Sequence, residues 1–219
     1  MKAIVVRITF SEALFKAHHT KGFRQTYLIP LPTTVAGIFG AMLGIERRAV
    51  TEEFKNCLFG AKLLKYKGSC SENTTYIQHK TGKRIRGVTV SVILNHPTYT
   101  MALVADNEKI DEFYLKIKDK IAYFPYGGQN DFFAEDIEVQ GKMDVEENYS
   151  IENYAPQDLI EKIEWNEGTE LQILPVKHKF STNPNFCFIF KGKLKLKHPV
   201  LAVDGIGVFP LEKFYYLES

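Results

Sequence analysis

The chain has 219 residues, of which 45% are hydrophobic and 25% charged, and a formal net charge of +2. That length fits one larger domain, or one domain with an appendage, with enough apolar content for a packed core. No apolar run is long enough to cross a bilayer. The three cysteines Cys57, Cys70 and Cys187 have no Cys-x-x-Cys spacing, which excludes an obvious zinc site and leaves reduced thiols in a reducing compartment as the expectation.

The charge is unevenly placed. Residues 1–134 carry 19 Lys and Arg against 11 Asp and Glu, residues 135–170 carry 2 against 12, and residues 171–219 carry 7 against 3. A freely soluble enzyme could show a basic front, an acidic belt and a basic tail by chance, whereas a subunit that touches RNA on one face and basic protein or solvent on another would show them for a reason.

In chain order, residues 2–10 alternate in polarity and read as a first strand, too short and too alternating for a signal peptide, so a cytoplasmic location is expected. Residues 11–25 form a polar loop with Lys16, His18, His19, Lys21 and Arg24 around Gly22. The Pro-x-Pro at Pro30 and Pro32 is punctuation, because proline fixes its own φ and moves the preceding residue out of the helical region. A helix is expected over 33–45, with Thr33 or Thr34 as its hydroxyl cap. Val35, Ile38, Phe39 and Met42 make its apolar stripe. Gly37, Gly40, Ala41 and Gly44 make a second stripe almost without side chains. Each glycine costs about 1 kcal/mol of helix stability relative to alanine, so something must come close to this backbone: a strand, another subunit or a phosphate chain.

A short helix is expected at 51–59, a strand at 61–67, and a turn or loose tip at 67–72. The runs 74–79 and 87–94 read as a β-hairpin whose end is cationic, with His79, Lys80, Lys83, Arg84 and Arg86 and no acid between them. A strand at 98–105 precedes a helix over 106–121 with Ile110, Tyr114, Ile117 and Ile121 on one face. A turn at 123–129 leads to a strand at 134–139. The acidic stretch 144–170 reads as a long connection, or a short helix around 158–163. Strands are expected at 187–190, 193–197 and 214–217, and Val203-Asp-Gly-Ile-Gly-Val reads as a hairpin turn.

This order is α+β: a ferredoxin-like, RNA-recognition-motif-like βαββαβ domain over 1–140, with an inserted hairpin around 74–94 and a small, mainly β appendage over 141–219. The basic loop, the hairpin tip and the amides of Gln129 and Asn130 beside Gly127 and Gly128 are the candidate RNA contacts, since RNA binding rests on phosphate neutralisation and on amides that read bases or ribose. Thr33 and Thr34 at the helix start add an anion-binding helix end.

Two motifs carry a resemblance. Arg-x-Thr-Tyr-x-Ile-Pro-x-Pro-Thr-Thr-x-x-Gly-x-x-Gly-Ala-x-Leu-Gly-Ile over 24–45 resembles, in order and spacing, the N-terminal signature of the Cas-five family, the RAMP-superfamily subunits of the CRISPR Cascade interference complex. Tyr-Phe-Pro-Tyr-Gly-Gly-Gln-Asn-Asp-Phe-Phe-Ala over 123–134 resembles that family's second motif, with Gly127 where Leu is usual and Asp131 where Glu is usual. The resemblance implies the ferredoxin-like fold, with the hairpin as a thumb that bends the guide RNA. It implies a non-catalytic subunit that holds the 5′ repeat-derived tag of the CRISPR guide RNA. That subunit caps the Cascade backbone subunit's filament and docks the Cascade large subunit, and it meets target DNA only through the assembled complex. No cofactor, metal or membrane is implied, and Tyr27 joins the RNA-contacting set. Two other readings stay open: a metal-independent endoribonuclease of repeat RNA drawing on His18, His19, Lys21, Tyr27, His79 and Lys80, and an RNA-recognition-motif-like binding module unrelated to CRISPR.

Overall fold

The computed structural model describes residues 1–20, 22–80 and 82–215. Strand β1 (Lys2–Phe10) is followed by two short strands, β2 (Glu12–Ala13) and β3 (Phe23–Arg24), and by helix α1 (Pro32–Leu43). Neither Thr33 nor Thr34 caps α1. The N-cap is Leu31 with extended backbone, Pro32 takes the first helical position, and no side chain closes the end. Proline suits that position because its missing N–H would be unpaired there anyway. Gly44 ends the helix in the left-handed region at φ 74°, with its N–H on the Ala41 carbonyl.

The expected second helix is only one turn long, α2 (Val50–Glu53), because Asn56 turns the chain at φ 65° and β4 (Leu58–Lys65) starts two residues later. The chain then forms the hairpin β5 (Ser69–Lys80) and β6 (Lys83–Asn95), which is longer than expected. Residues 69–72, expected as a turn, are paired in register with Ser91–Leu94. A ribbon wet on both faces needs no apolar alternation, so its polar composition hid the strand.

β7 (Thr98–Ala105) and α3 (Asn107–Asp119) follow, with Asp106 capping α3 by accepting from the Lys109 N–H at 2.9 Å. The buried stripe of α3 is Ile110, Phe113 and Ile117. β8 (Ala134–Asp144) runs past residue 140 because a bulge at Gly141, φ 124°, lets it continue along β1. The acidic stretch is neither a connection nor a helix. It forms β9 (Glu146–Ile151), β10 (Tyr154–Pro156) and β11 (Ile160–Glu164), with one 3-10 turn at Gln157–Leu159. β9 and β11 flank a longer strand and carry their acids outward, as charged sheet edges do. The chain ends with β12 (Glu170–Pro175), β13 (Asn185–Phe190), β14 (Lys193–Val203), β15 (Ile206–Gly207) and β16 (Phe209–Pro210). The strand expected at 214–217 runs beyond the described residues; Phe214 makes an isolated bridge to His178.

The central sheet has the order β16-β4-β7-β1-β8, antiparallel throughout. Helices α1 and α3 cover one face, burying Ile4, Val6, Ile8 and Phe10 of β1 against Val35, Phe39, Met42, Ile110 and Phe113. The β14–β15 turn, with Asp204 and Gly205 both at positive φ, lies on the other face, where Val203, Ile206 and Val208 meet Ala3, Val5, Ala102 and Val104. Gly60 of β4 admits this turn: a Cβ there would stand 2.4 Å from the Gly207 carbonyl oxygen. Two further sheets, β10-β13-β12 and β11-β14-β15 with β9 on β14, enclose Ile151, Cys187, Ile189, Leu194 and Leu196. Their aromatics also enter the main core. Tyr27 stacks on Phe188 at 5.2 Å, and Tyr154 stacks on Phe209 at 5.8 Å.

Candidate nucleic-acid interface

The hairpin β5–β6 stands off the body, and its base is where the candidate motifs converge. β2 pairs with β6 at Asn95 and Leu94, and β3 pairs with it in parallel at Val90 and Ser91. The basic loop between them therefore lies along the β6 edge. Its backbone is tied down by Ala17 N–H to the Gln25 carbonyl at 2.7 Å and Tyr27 N–H to the Phe15 carbonyl at 2.8 Å. The turn at 125–133 seats on the same place. Leu14 N–H donates to the Gly127 carbonyl at 2.8 Å, and Leu14, Ile93 and Phe132 form a small core of their own.

Close approach explains Gly127 and Gly128. A Cβ on Gly127 would lie 2.6 Å from the Glu12 carbonyl oxygen, and one on Gly128, at φ 90°, would lie 2.1 Å from that of Leu14. The neighbour is this chain's own backbone. The helix glycines divide three ways. Gly40 packs under Val50, Gly44 is the left-handed cap, and Gly37 is exposed, with nothing within 4 Å of where its Cβ would stand.

Strand alternation sorts the hairpin side chains. His79, Ile77 and Thr75 of β5 share a face with Arg84, Arg86, Val88 and Val90 of β6, while Tyr76 and Gln78 share the other with Ile85 and Gly87. Ile77 is 60% exposed and Val88 66%. Tyr76 lies across Gly87, where a Cβ would be 2.5 Å from its ring. Among the described residues, none of Lys16, Arg24, Lys83, Arg84 and Arg86 is within salt-bridge distance of a carboxylate. Exposed cations alternating with exposed apolar groups on an otherwise unsupported ribbon can neutralise phosphates and pack against bases.

The other candidates fall as follows. Tyr27 is a core residue: it is 1% exposed, its hydroxyl donates to the Pro175 carbonyl at 2.8 Å, and burial pushes its pKa up to about 12. It is not available to a base, which corrects the expectation. His18 Nδ1 sits 3.4 Å from that hydroxyl. Burial, with Lys16, Lys177 and His19 nearby, holds His18 below the usual histidine range. His19 is exposed, Thr33, Thr34 and Gln129 are half-buried, and Asn130 is exposed. Lys21 and the side chain of Lys80 lie outside the described residues. Among the described groups of the nuclease reading, His18 and Tyr27 meet at the hairpin base, while His79 lies apart from them, paired with Arg84 near the tip. From Ser91 to Lys83 is about 27 Å of extended strand.

Three cations were missed. Lys177 follows Pro175 and comes beside His18 through the Tyr27 hydroxyl. Lys179 and Lys213 continue the line on a backbone pairing in which Lys179 N–H donates to the Lys213 carbonyl at 2.7 Å and Tyr215 N–H to that of Lys177 at 3.1 Å. The basic balance of the tail was the available signal. The outer sheet face, by contrast, offers no stacking platform. It shows the Arg7–Glu138 ion pair, the Thr9–Thr98 hydroxyl contact at 3.0 Å, and Lys62 tied to Asp204 at 3.0 Å. The aromatics of β1 and β7, Phe10 and Tyr99, are fully buried on the helix side.

The chain shares the fold of a CRISPR complex subunit. It matches a chain of a "CRISPR RNA-guided surveillance complex" with a TM-score of 0.51 at 13% identity, over 90% of this chain and 91% of that one. A second match is a "Cas protein" crystal structure (TM-score 0.45, 13% identity, 89% and 95% covered). A third is a CRISPR protein from Archaeoglobus fulgidus (TM-score 0.44, 13% identity, 96% and 100% covered). No protein-family model and no curated protein matches the chain by sequence. Among the described residues no cluster of His, Cys, Asp and Glu could hold a metal ion, and no helix is long and apolar enough to cross a membrane.

Proposed function

We propose that the chain is a Cas-five-like, RNA-holding subunit of a CRISPR Cascade effector complex. In this reading β1-α1-β4-β7-α3-β8 is a ferredoxin-like domain, and β5–β6, inserted between its second and third strands, is the thumb. The thumb and the basic loop hold the 5′ tag of the guide RNA. The subunit closes one end of the backbone filament and docks the large subunit, with target DNA read by base pairing in the assembled complex. No chemical step is assigned to it.

The observation that carries the reading is the exposed hairpin, with Lys83, Arg84 and Arg86 near its tip, which have no carboxylate partner among the described residues, and the loop of Lys16, His18 and Arg24 anchored at its base. The surveillance-complex likeness supports the same fold. The covered, non-aromatic sheet face disfavours a module that reads RNA as RNA-recognition motifs do, by stacking bases on the sheet. The separation of His79 from His18 and Tyr27 disfavours a cleavage site.

The test is incubation of the purified chain with CRISPR repeat RNA in the presence of a chelator, and co-expression with guide RNA and the backbone subunit. Intact repeat RNA and a co-purifying ribonucleoprotein are expected. Repeat RNA cut without metal, or a chain that joins no complex and retains no RNA, would overturn the reading.

A further inference from the structure

A half-open cleft of about 310 Å³ lies between the hairpin base and β12. That is the small end of the range for ligand sites, the size of one ring system. Val92 and Leu94 of β6 form one wall, Phe23 stands at its edge 47% exposed, and Glu170, Leu171 and Gln172 form the opposite wall. Because alternate residues share a strand face, Val92 and Leu94 lie on the same side of β6 as Val90, Val88, Arg86 and Arg84. A strand of RNA following the cationic face of the hairpin towards the body therefore arrives at this cleft.

The polar groups of the cleft differ in what they have left to offer. The Gln172 amide is held by backbone at both ends, its Oε1 accepting from Leu28 N–H at 2.8 Å and its Nε2 donating one N–H to the Thr26 carbonyl at 3.1 Å, which fixes its orientation and leaves one N–H over. Tyr66 donates its hydroxyl to Glu170, and burial together with that carboxylate raises the tyrosine pKa, so the phenol keeps its proton. Glu170 is thus held in place with most of its acceptor positions free, and among the described residues no cation is within salt-bridge distance of it. A carboxylate repels the RNA backbone and selects hydrogen-bond donors.

Resting on the RNA-holding reading above, we infer that this cleft takes one unstacked nucleobase of the bound RNA and prefers guanine. Guanine alone presents two adjacent donors, the N1 imino and the N2 amino groups, that match the two oxygens of a carboxylate. Adenine and cytosine turn an acceptor beside their single amino group, and uracil flanks its imino group with two carbonyls. Phe23 supplies a stacking face that any base can use.

The test measures fluorescence anisotropy of the full chain with an oligouridylate carrying a single guanine, and with the same oligomer carrying inosine, which lacks the N2 amino group, or adenine. The wild-type chain should bind the guanine oligomer at least about fivefold more tightly than the other two, the low end of what a good bidentate base contact discriminates. Glu170→Gln should remove that difference without weakening plain oligouridylate binding, which should if anything tighten as a charge that repels the RNA backbone is lost. Phe23→Ala should weaken all the oligomers by a similar factor. RNA bound without guanine preference, or a preference that survives Glu170→Gln, overturns the cleft and leaves the RNA-holding reading standing. No RNA bound even at low salt overturns both.

Discussion

Single positions in this chain answer to different neighbours, and the glycines show it most sharply. Gly128 combines φ 90° with a Cβ position 2.1 Å from a carbonyl oxygen, so Gly128→Ala must displace the Glu12–Leu14 backbone. A loss of about 2 kcal/mol or more is expected in denaturant unfolding, with the hairpin base loosened. Gly37 is the opposite case, exposed on α1 with open space around it. Gly37→Ala should raise stability by up to about 1 kcal/mol through helix propensity. If an assembly partner or a phosphate chain uses that open backbone, the same change should lower complex yield in co-purification while the free chain unfolds at higher denaturant.

His178 makes a residue-scale prediction of its own. Its Nε2 donates to the Asn183 carbonyl at 2.8 Å and its Nδ1 accepts from Phe180 N–H at 3.1 Å, so a neutral ring is required. Burial lowers its pKa below the ordinary 6.5. The unfolded chain then binds more protons than the folded one just below that value. The stability His178 contributes is complete above about pH 6.5 and is lost as the pH falls through the lower folded value. His18, lowered for a similar reason, acts in the same direction. Denaturation midpoints should therefore fall as the pH drops below about 6.5, and less steeply in His178→Gln, which cannot be protonated. Equal slopes for the two proteins would contradict the assignment.

At the scale of elements, the outer part of the hairpin is separable in energy from the body. Beyond Val90 its described side chains are exposed or half-exposed, and none of the described residues from Tyr76 to Val88 belongs to the buried core. Replacing Lys83, Arg84 and Arg86 together with alanine should leave thermal unfolding nearly unchanged. Each phosphate contact to a single strand adds about 0.7 to the log–log salt slope, so the triple change should lower the slope of tag-RNA binding by about 2. A wild-type affinity that is flat in salt would remove the phosphate argument. Replacing His79 should alter neither guide RNA length nor yield in this reading. α1 shows the converse: its two ends were set by Pro32 and Gly44, while the face it presents was set by what packs there.

For the whole molecule, the deciding fact is a shared core. The aromatics Tyr154, Phe186, Phe188, Phe209 and Phe214 of the last third pack in one cluster with Tyr27, Phe39, Phe59 and Tyr99 of the first half. β16 pairs with β4, and Lys62 is held by Asp204 and Glu152. A chain cut after residue 144 would expose this face, with large buried aromatics worth several kcal/mol. Such a fragment should be insoluble or lack a cooperative transition in circular dichroism, whereas removal of residues 77–86 with a short turn in their place should leave a cooperative fold.

The local signals were legible from residues alone. The alternation of β1, the proline before α1, the start of the second long helix at Asp106, the cationic hairpin end and the turn at 204–205 each depend on neighbours within a few positions, where backbone sterics and periodicity act. The basic loop and the two motifs were legible in the same way. What the sequence did not determine was contact at long range. Polar edge strands at 69–72 and 146–164 have no periodic apolar face, so their pairing appears only when β6 and β14 lie beside them. Tyr27 looked like an RNA-facing aromatic until Phe188 and Pro175, about 150 residues later, closed over it. Lys177 and Glu170 gained their places from the same closure. Burial and pairing of this kind come from packing surfaces far apart in the chain, and only the tertiary structure brings those surfaces together.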